Sequence, residues 1–103
     1  MSVEDRIQEL KDRLRAVIDF YGKTDPSMED HHLNVATEGG STIYFALNGG
    51  NIDLAYSFLR VINDFLGREW DQGRCKHRAI RVAIIEFQDI AEQVSELIRE
   101  GGK

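Results

Sequence analysis

The chain has 103 residues, 42% hydrophobic and 30% charged, with a formal net charge of −5. That length suits one domain with a single modest core, and the acidic balance excludes non-specific nucleic-acid binding over the whole surface, which needs basic charge against phosphate. No 18-residue apolar run is present and no membrane span is expected, the acid-bearing start MSVEDRIQELKD is unlike a signal or transit peptide, and one cysteine gives no internal disulfide framework; a cytoplasmic protein is expected.

Val3, Ile7, Leu10, Leu14, Val17 and Tyr21 recur at helical spacing, with Ile18 widening the stripe. Ser2 can cap this first helix, Glu4 and Asp5 sit where the helix dipole favours acids, and Gly22 ends it. Asp25-Pro26 is a start signal for a second helix, with a weak stripe of Met28, His32, Val35 and Ala36. Gly39-Gly40 reads as a stop or a kink. STIYFALN, residues 41–48, suits either a strand closing a hairpin at NGGN or a short helix stopped by Gly49. The next segment decides for helix. Leu54, Ala55, Phe58, Leu59, Val61, Ile62, Phe65 and Leu66 repeat at helical spacing and remove the hairpin partner.

Gly67 is expected to end that helix, GREWDQG to connect, and Asp71 to cap the last helix. This last helix runs without a breaker from about Arg74 to Gly101, on a stripe of Ile80, Ile84, Phe87, Ala91, Val94 and Ile98. The expected fold is all-α, a compact bundle of four to five helices with a long C-terminal helix. Val82 and Ile85 fall far from the last stripe's centre. Neighbouring helices on both sides can cover them, or another subunit can. Sustained heptads at 3–21 and 80–98 make oligomerisation by helix packing credible.

GRCKHRAIR, residues 73–81, carries four cations and no acid. On one helix Arg74, Arg78 and Arg81 share a face, with Lys76 nearer the core edge. Like charges repel there, and the helix N-terminus opposes each by roughly 0.3–1 kcal/mol. Three reliefs are available: pairing with Glu69, Asp71 or other acids, cover by a partner's acidic surface, or a phosphate ligand at the helix N-terminus. No Gly-rich loop ending in Lys-Ser/Thr is present, which excludes a P-loop.

Cys75 and His77 are two apart and point to different sides of a helix, so they can pair only if the helix starts after them. Basic neighbours can still lower a thiol pKa. Glu29 and His32 can offer two metal ligands where zinc needs three or four. Glu86 and Asp89 form an ExxD pair, the spacing that all-α nucleotide pyrophosphohydrolases of the MazG type combine with an upstream EExxE. Here Glu38 stands alone, Ser41 occupies the last glutamate's place, and the later helix LAYSFLRVINDFL has no acidic pair either. A solvated acidic face is expected instead.

The expected function is a non-enzymatic interaction module, an adaptor, regulator or inhibitor. It would bind a protein partner, associate with itself, or both, through Arg68, Trp70, Arg74 and Lys76 together with Arg78, Arg81, Val82 and Ile85. The alternative is a binder or sequesterer of a phosphate-bearing ligand such as a nucleotide, held at the Trp70–Arg81 corner. A metal- or thiol-dependent enzyme ranks third. No cofactor and no metal ligand is assigned.

Overall fold

The computed structural model describes residues 2–22, 31–75 and 78–101. Four helices occupy them: α1 (Val3–Gly22), α2 (His31–Asn48), α3 (Ile52–Asp71) and α4 (Arg78–Gly101), and no strand is present among the described residues. The chain is an all-α bundle. The Asp25-Pro26 start, Met28, Glu29, Lys76 and His77 lie outside the described residues.

α1 begins as its sequence predicts. The Asp5 amide donates to Ser2 Oγ at 3.1 Å, which satisfies one of the orphan N–H groups of the first turn. Its stripe then goes inward, with Leu10, Leu14 and Val17 buried. α2 departs from expectation. It runs unbroken through Gly39-Gly40, and residues 41–48 are its second half, so the described residues form four helices, within the four to five expected.

The glycine pair is a packing device, not a stop. A Cβ on Gly39 would lie 2.5 Å from Ile62 Cδ1 of α3, and one on Gly40 would lie 3.1 Å from Ile18 Cγ1 of α1. α2 therefore meets α3 on one side and α1 on the other, nearer than larger residues permit. The α2 backbone turns into α3 within Gly49, Gly50 and Asn51. Gly50 takes a φ of +76°, its amide donates to Leu47 O, and the Asn51 amide donates to Ala46 O. That is a Schellman motif, and Asn51 in turn caps α3 by accepting from the Leu54 amide.

Cross-contacts fix the directions. Lys11 donates to Asn48 across α1 and α2, and Gly39 meets Ile62 across α2 and α3. Arg6 binds Glu96 and Glu100 while Arg13 binds Glu86 and Asp89, which sets α1 antiparallel to α4. The bundle is up-down-up-down. Its centre holds Leu14, Ile43, Leu59, Leu66, Ile80, Phe87, Ile90 and Val94, each fully enclosed. Burial of each such side chain contributes about 1.5–3 kcal/mol before chain entropy is charged against it. Leu10, Leu14 and Val17 of the α1 heptad and Ile80, Ile84, Phe87 and Val94 of the α4 heptad line this internal core, while Val3 is exposed.

The glycines give a test in which one substitution changes sign with position. Gly67 lies in the α3 interior with nothing within 4 Å of a built Cβ, so Gly67→Ala should stabilise by about 0.5–1 kcal/mol through helix propensity alone. Gly39→Ala gains the same propensity but overpacks Ile62 at a cost of about 1–3 kcal/mol, and should be net destabilising. Denaturant unfolding followed by circular dichroism measures both. A stabilised Gly39→Ala would contradict this account of how α2 meets α3.

Candidate functional site

The corner that sequence patterning singles out is built by the end of α3 and the start of α4. α3 does not stop at Gly67 but continues to Asp71, so Arg68, Glu69 and Trp70 form its last turn instead of a connector. Asp71 is the last residue of α3, not the cap of α4. Gly73 adopts a φ of +74°, its amide donates to Trp70 O, and the Arg74 amide donates to Glu69 O. This second Schellman closure delays α4 to Arg78.

That delay dissolves the arginine row. Arg74 is in the connector and does not share a helical face with Arg78 and Arg81. Its guanidinium binds the Glu69 carboxylate through both Nε and Nη2. Pairing with Glu69, one of the three reliefs weighed for the cluster, accounts for Arg74. Glu69 is the hub here: its other oxygen lies 3.2 Å from His32 Nε2 of α2, and His32 stacks on Phe65. Contacts from Arg74, then His32, hold the Glu69 carboxyl below its ordinary pKa. Cys75 is 3% exposed and packs into the core, which keeps its thiol from solvent.

What remains of the basic cluster is a compact α4 surface. Arg78, Arg81, Val82 and Ile85 fall at i, i+3, i+4 and i+7, hence on one face. All four are exposed, Val82 and Ile85 at 54% each. Neighbouring helices of the bundle therefore do not cover the two aliphatic residues. The Arg81 guanidinium stands 5.8 Å from the Trp70 ring centroid, a cation–π contact that ties this face to the end of α3. Arg68 lies apart. Its Nε donates to the Asp64 carbonyl one turn back, and it lines a shallow groove between α3 and α4.

Of the acids of α4, Asp89, Glu92 and Glu96 are exposed as expected and Glu86 is half-buried, but Glu86, Asp89 and Glu96 also pair with α1. Arg13 Nη1 and Nη2 reach Asp89 and Glu86 at 2.7 and 3.1 Å. Burial works against the Arg13 charge, but its bonds to Asp89 and Glu86 outweigh that and raise its pKa, while the bond from Arg13 lowers that of Asp89. The ExxD pair is thus an α1–α4 clamp. No group of three or more potential metal ligands exists among the described residues.

A second groove of about 400 Å³ runs between α3 and α4, bordered by Tyr56, Arg60, Gln88 and Glu92. Asn63 Oδ1 at its edge has no hydrogen-bond partner among the described residues, but it is closed to solvent and so to anything entering the groove. No helix among the described residues is long and apolar enough to cross a membrane.

The Glu69 network predicts an acid-sensitive contribution to stability. Its folded pKa is depressed, so the contribution is present above the ordinary carboxylate range and is lost as pH falls through the depressed value. Glu69→Gln should lower the thermal midpoint at neutral pH, and the gap from the parent protein should close on acidification. A gap unchanged down to pH near 2, below the ordinary carboxylate range, would show that the network contributes packing rather than charge. No known protein family, curated protein or solved structure matches this chain.

Proposed function

We propose that the chain is a non-enzymatic interaction module that docks on an acidic and apolar surface of a protein partner through the exposed α4 face. The observation that carries this reading is the juxtaposition of Arg78 and Arg81 with Val82 and Ile85 on one helical face. Each aliphatic residue is 54% exposed beside a cation that the acids of its own helix do not serve. Glu86 and Asp89 are bound to Arg13, and Glu96 to Arg6. An apolar centre gives affinity on desolvation, and the flanking arginines select a negative partner and raise the association rate. Trp70 holds Arg81 through the cation–π contact, and Arg68, on another side of α3, is not part of this face.

Several features favour binding over catalysis. The side chains best suited to chemistry have structural engagements: Glu86 and Asp89 with Arg13, His32 and Glu69 with each other, and Cys75 in the core. A lone buried cysteine also suits a reducing compartment, and the cytoplasm is the location proposed. The phosphate-ligand alternative is weakened because Arg74 is bound to Glu69 and Arg81 lies over Trp70.

Two variants test the face from its two chemistries. Arg78→Glu with Arg81→Glu, and separately Val82→Asp with Ile85→Asp, should each retain helicity, because all four positions are exposed. Proteins that copurify with the parent chain from its own cell extract should drop at least about tenfold with either variant, as loss of a hot spot would require. Their retention by both variants overturns the assignment. Thermal shift against a nucleotide panel separates the alternative: a bound phosphate ligand at 100 Kd adds about 2.7 kcal/mol, and no such shift is expected.

A further inference from the structure

The other apolar surface is on α3. Leu54, Phe58, Val61 and Phe65 follow one another at spacings of four, three and four, a single stripe along the helix. Internal packing uses a different face of α3, the one that carries Ala55, Leu59 and Leu66. Along the stripe Leu54 is 42% and Val61 66% exposed, while Phe58 and Phe65 are half-buried against the core. Phe45 of α2, 71% exposed, stands beside its Leu54 end across a shallow groove that Leu54 and Phe58 also line. Three large hydrophobic side chains in solvent on adjoining helices exceed the scattered exposure ordinary for a monomer.

Charge says what covers this stripe. The acid in the first turn of α3 is Asp53 and the base in its last turn is Arg68, and both are exposed. At about 100° per residue they lie on the same flank of the stripe, about 60° apart in rotation. The midpoint between Asp53 and Arg68 nearly coincides with the midpoint of the stripe, next to Val61, its most exposed member.

We infer that α3 pairs antiparallel with α3 of a second copy of this chain, about a two-fold axis passing near Val61. Antiparallel two-fold pairing brings the same flank of both helices together. Asp53 then meets the partner's Arg68, and by symmetry the same pair forms again at the other end. The stripe closes on itself, Val61 near the axis and Leu54 towards the partner's Phe65. Asp64 falls opposite Ser57, and Arg60, the cation nearest the axis, has its guanidinium over the Tyr56 ring, on the side of α3 away from the stripe. A parallel two-fold pairing would instead turn this flank away from its copy, leaving Asp53 and Arg68 without each other across the seam, and is rejected on that ground. The seam leaves Val82 and Ile85 outside it, so a dimer would carry the α4 face twice.

Size-exclusion chromatography with light scattering tests this. At about 100 µM the full chain should run as a dimer if its dissociation constant is about 1 µM or tighter. Val61→Glu should give a monomer of unchanged helicity. Asp53→Arg should weaken the dimer by roughly tenfold, since each reversal acts twice across the axis. Adding Arg68→Asp to Asp53→Arg should restore it, because the pair is rebuilt with its signs exchanged. Val82→Asp with Ile85→Asp should leave the dimer intact, which separates this face from the one on α4. A monomeric parent chain overturns the inference. So does a dimer indifferent to Val61→Glu, or one that the double reversal does not restore.

Discussion

The close approach of α2 to both of its neighbours is the constraint on which the bundle rests. Gly39 presents no side chain to Ile62, and Gly40 none to Ile18. With α2 drawn in on both sides, the ring of Phe87 on α4 comes within 3.9 Å of where a Gly40 Cβ would be. Three helices thus meet at two adjacent residues. The helical glycines carry a conformational-entropy penalty of about 0.5–1 kcal/mol each relative to alanine. The contacts of Ile18, Ile62 and Phe87 offset it, which is why an unfavourable pair persists inside a helix.

From that packing the charges take their places. α1 lies antiparallel to α4, so Arg6 and Arg13 come opposite Glu96, Glu86 and Asp89. Such partly exposed pairs contribute little stability singly. Their larger consequence is electrostatic. They draw Glu86, Asp89 and Glu96 toward α1, while Arg78 and Arg81 have no acid of α4 three or four residues away to pair with. The positive character of the α4 start is therefore not cancelled along its own helix, despite a chain that is acidic overall. At the other end of the same corner, Glu69 draws Arg74 and His32 together and fixes the last turn of α3 against α2.

The molecule then presents two unlike surfaces. One, on α4, mixes cations with two aliphatic residues and suits a negatively charged partner. The other, on α2 and α3, is more apolar and carries its charges in a pattern that complements itself. The difference in chemistry underlies the two proposals, a foreign protein for the first surface and a second copy for the second. A two-fold surface must satisfy itself, and the α3 flank offers an exposed acid and base at matching distances from a centre.

The amino-acid sequence by itself determined the helices, because apolar periodicity reports on local geometry. The stripes of α1 and α4 became the core, Ser2 capped α1, and residues 41–48 became helix. The place of Val82 and Ile85 off the α4 stripe was legible too, but whether a neighbouring helix covers them was left to the packing. What only the tertiary structure decided was where chain punctuation acts. Gly39, Gly40 and Gly67 look alike to a local reading, as breakers. The first two are required by neighbouring helices, and the third is simply passed over by a helix whose apolar face pays for it. Gly73 supplied the stop instead, and that shift of six residues moved Arg74 off α4 and into the grasp of Glu69. The Arg13 clamp on Glu86 and Asp89 spans 73 residues of chain. Pairings at such separations depend on how the helices pack, and no periodicity within a segment encodes them.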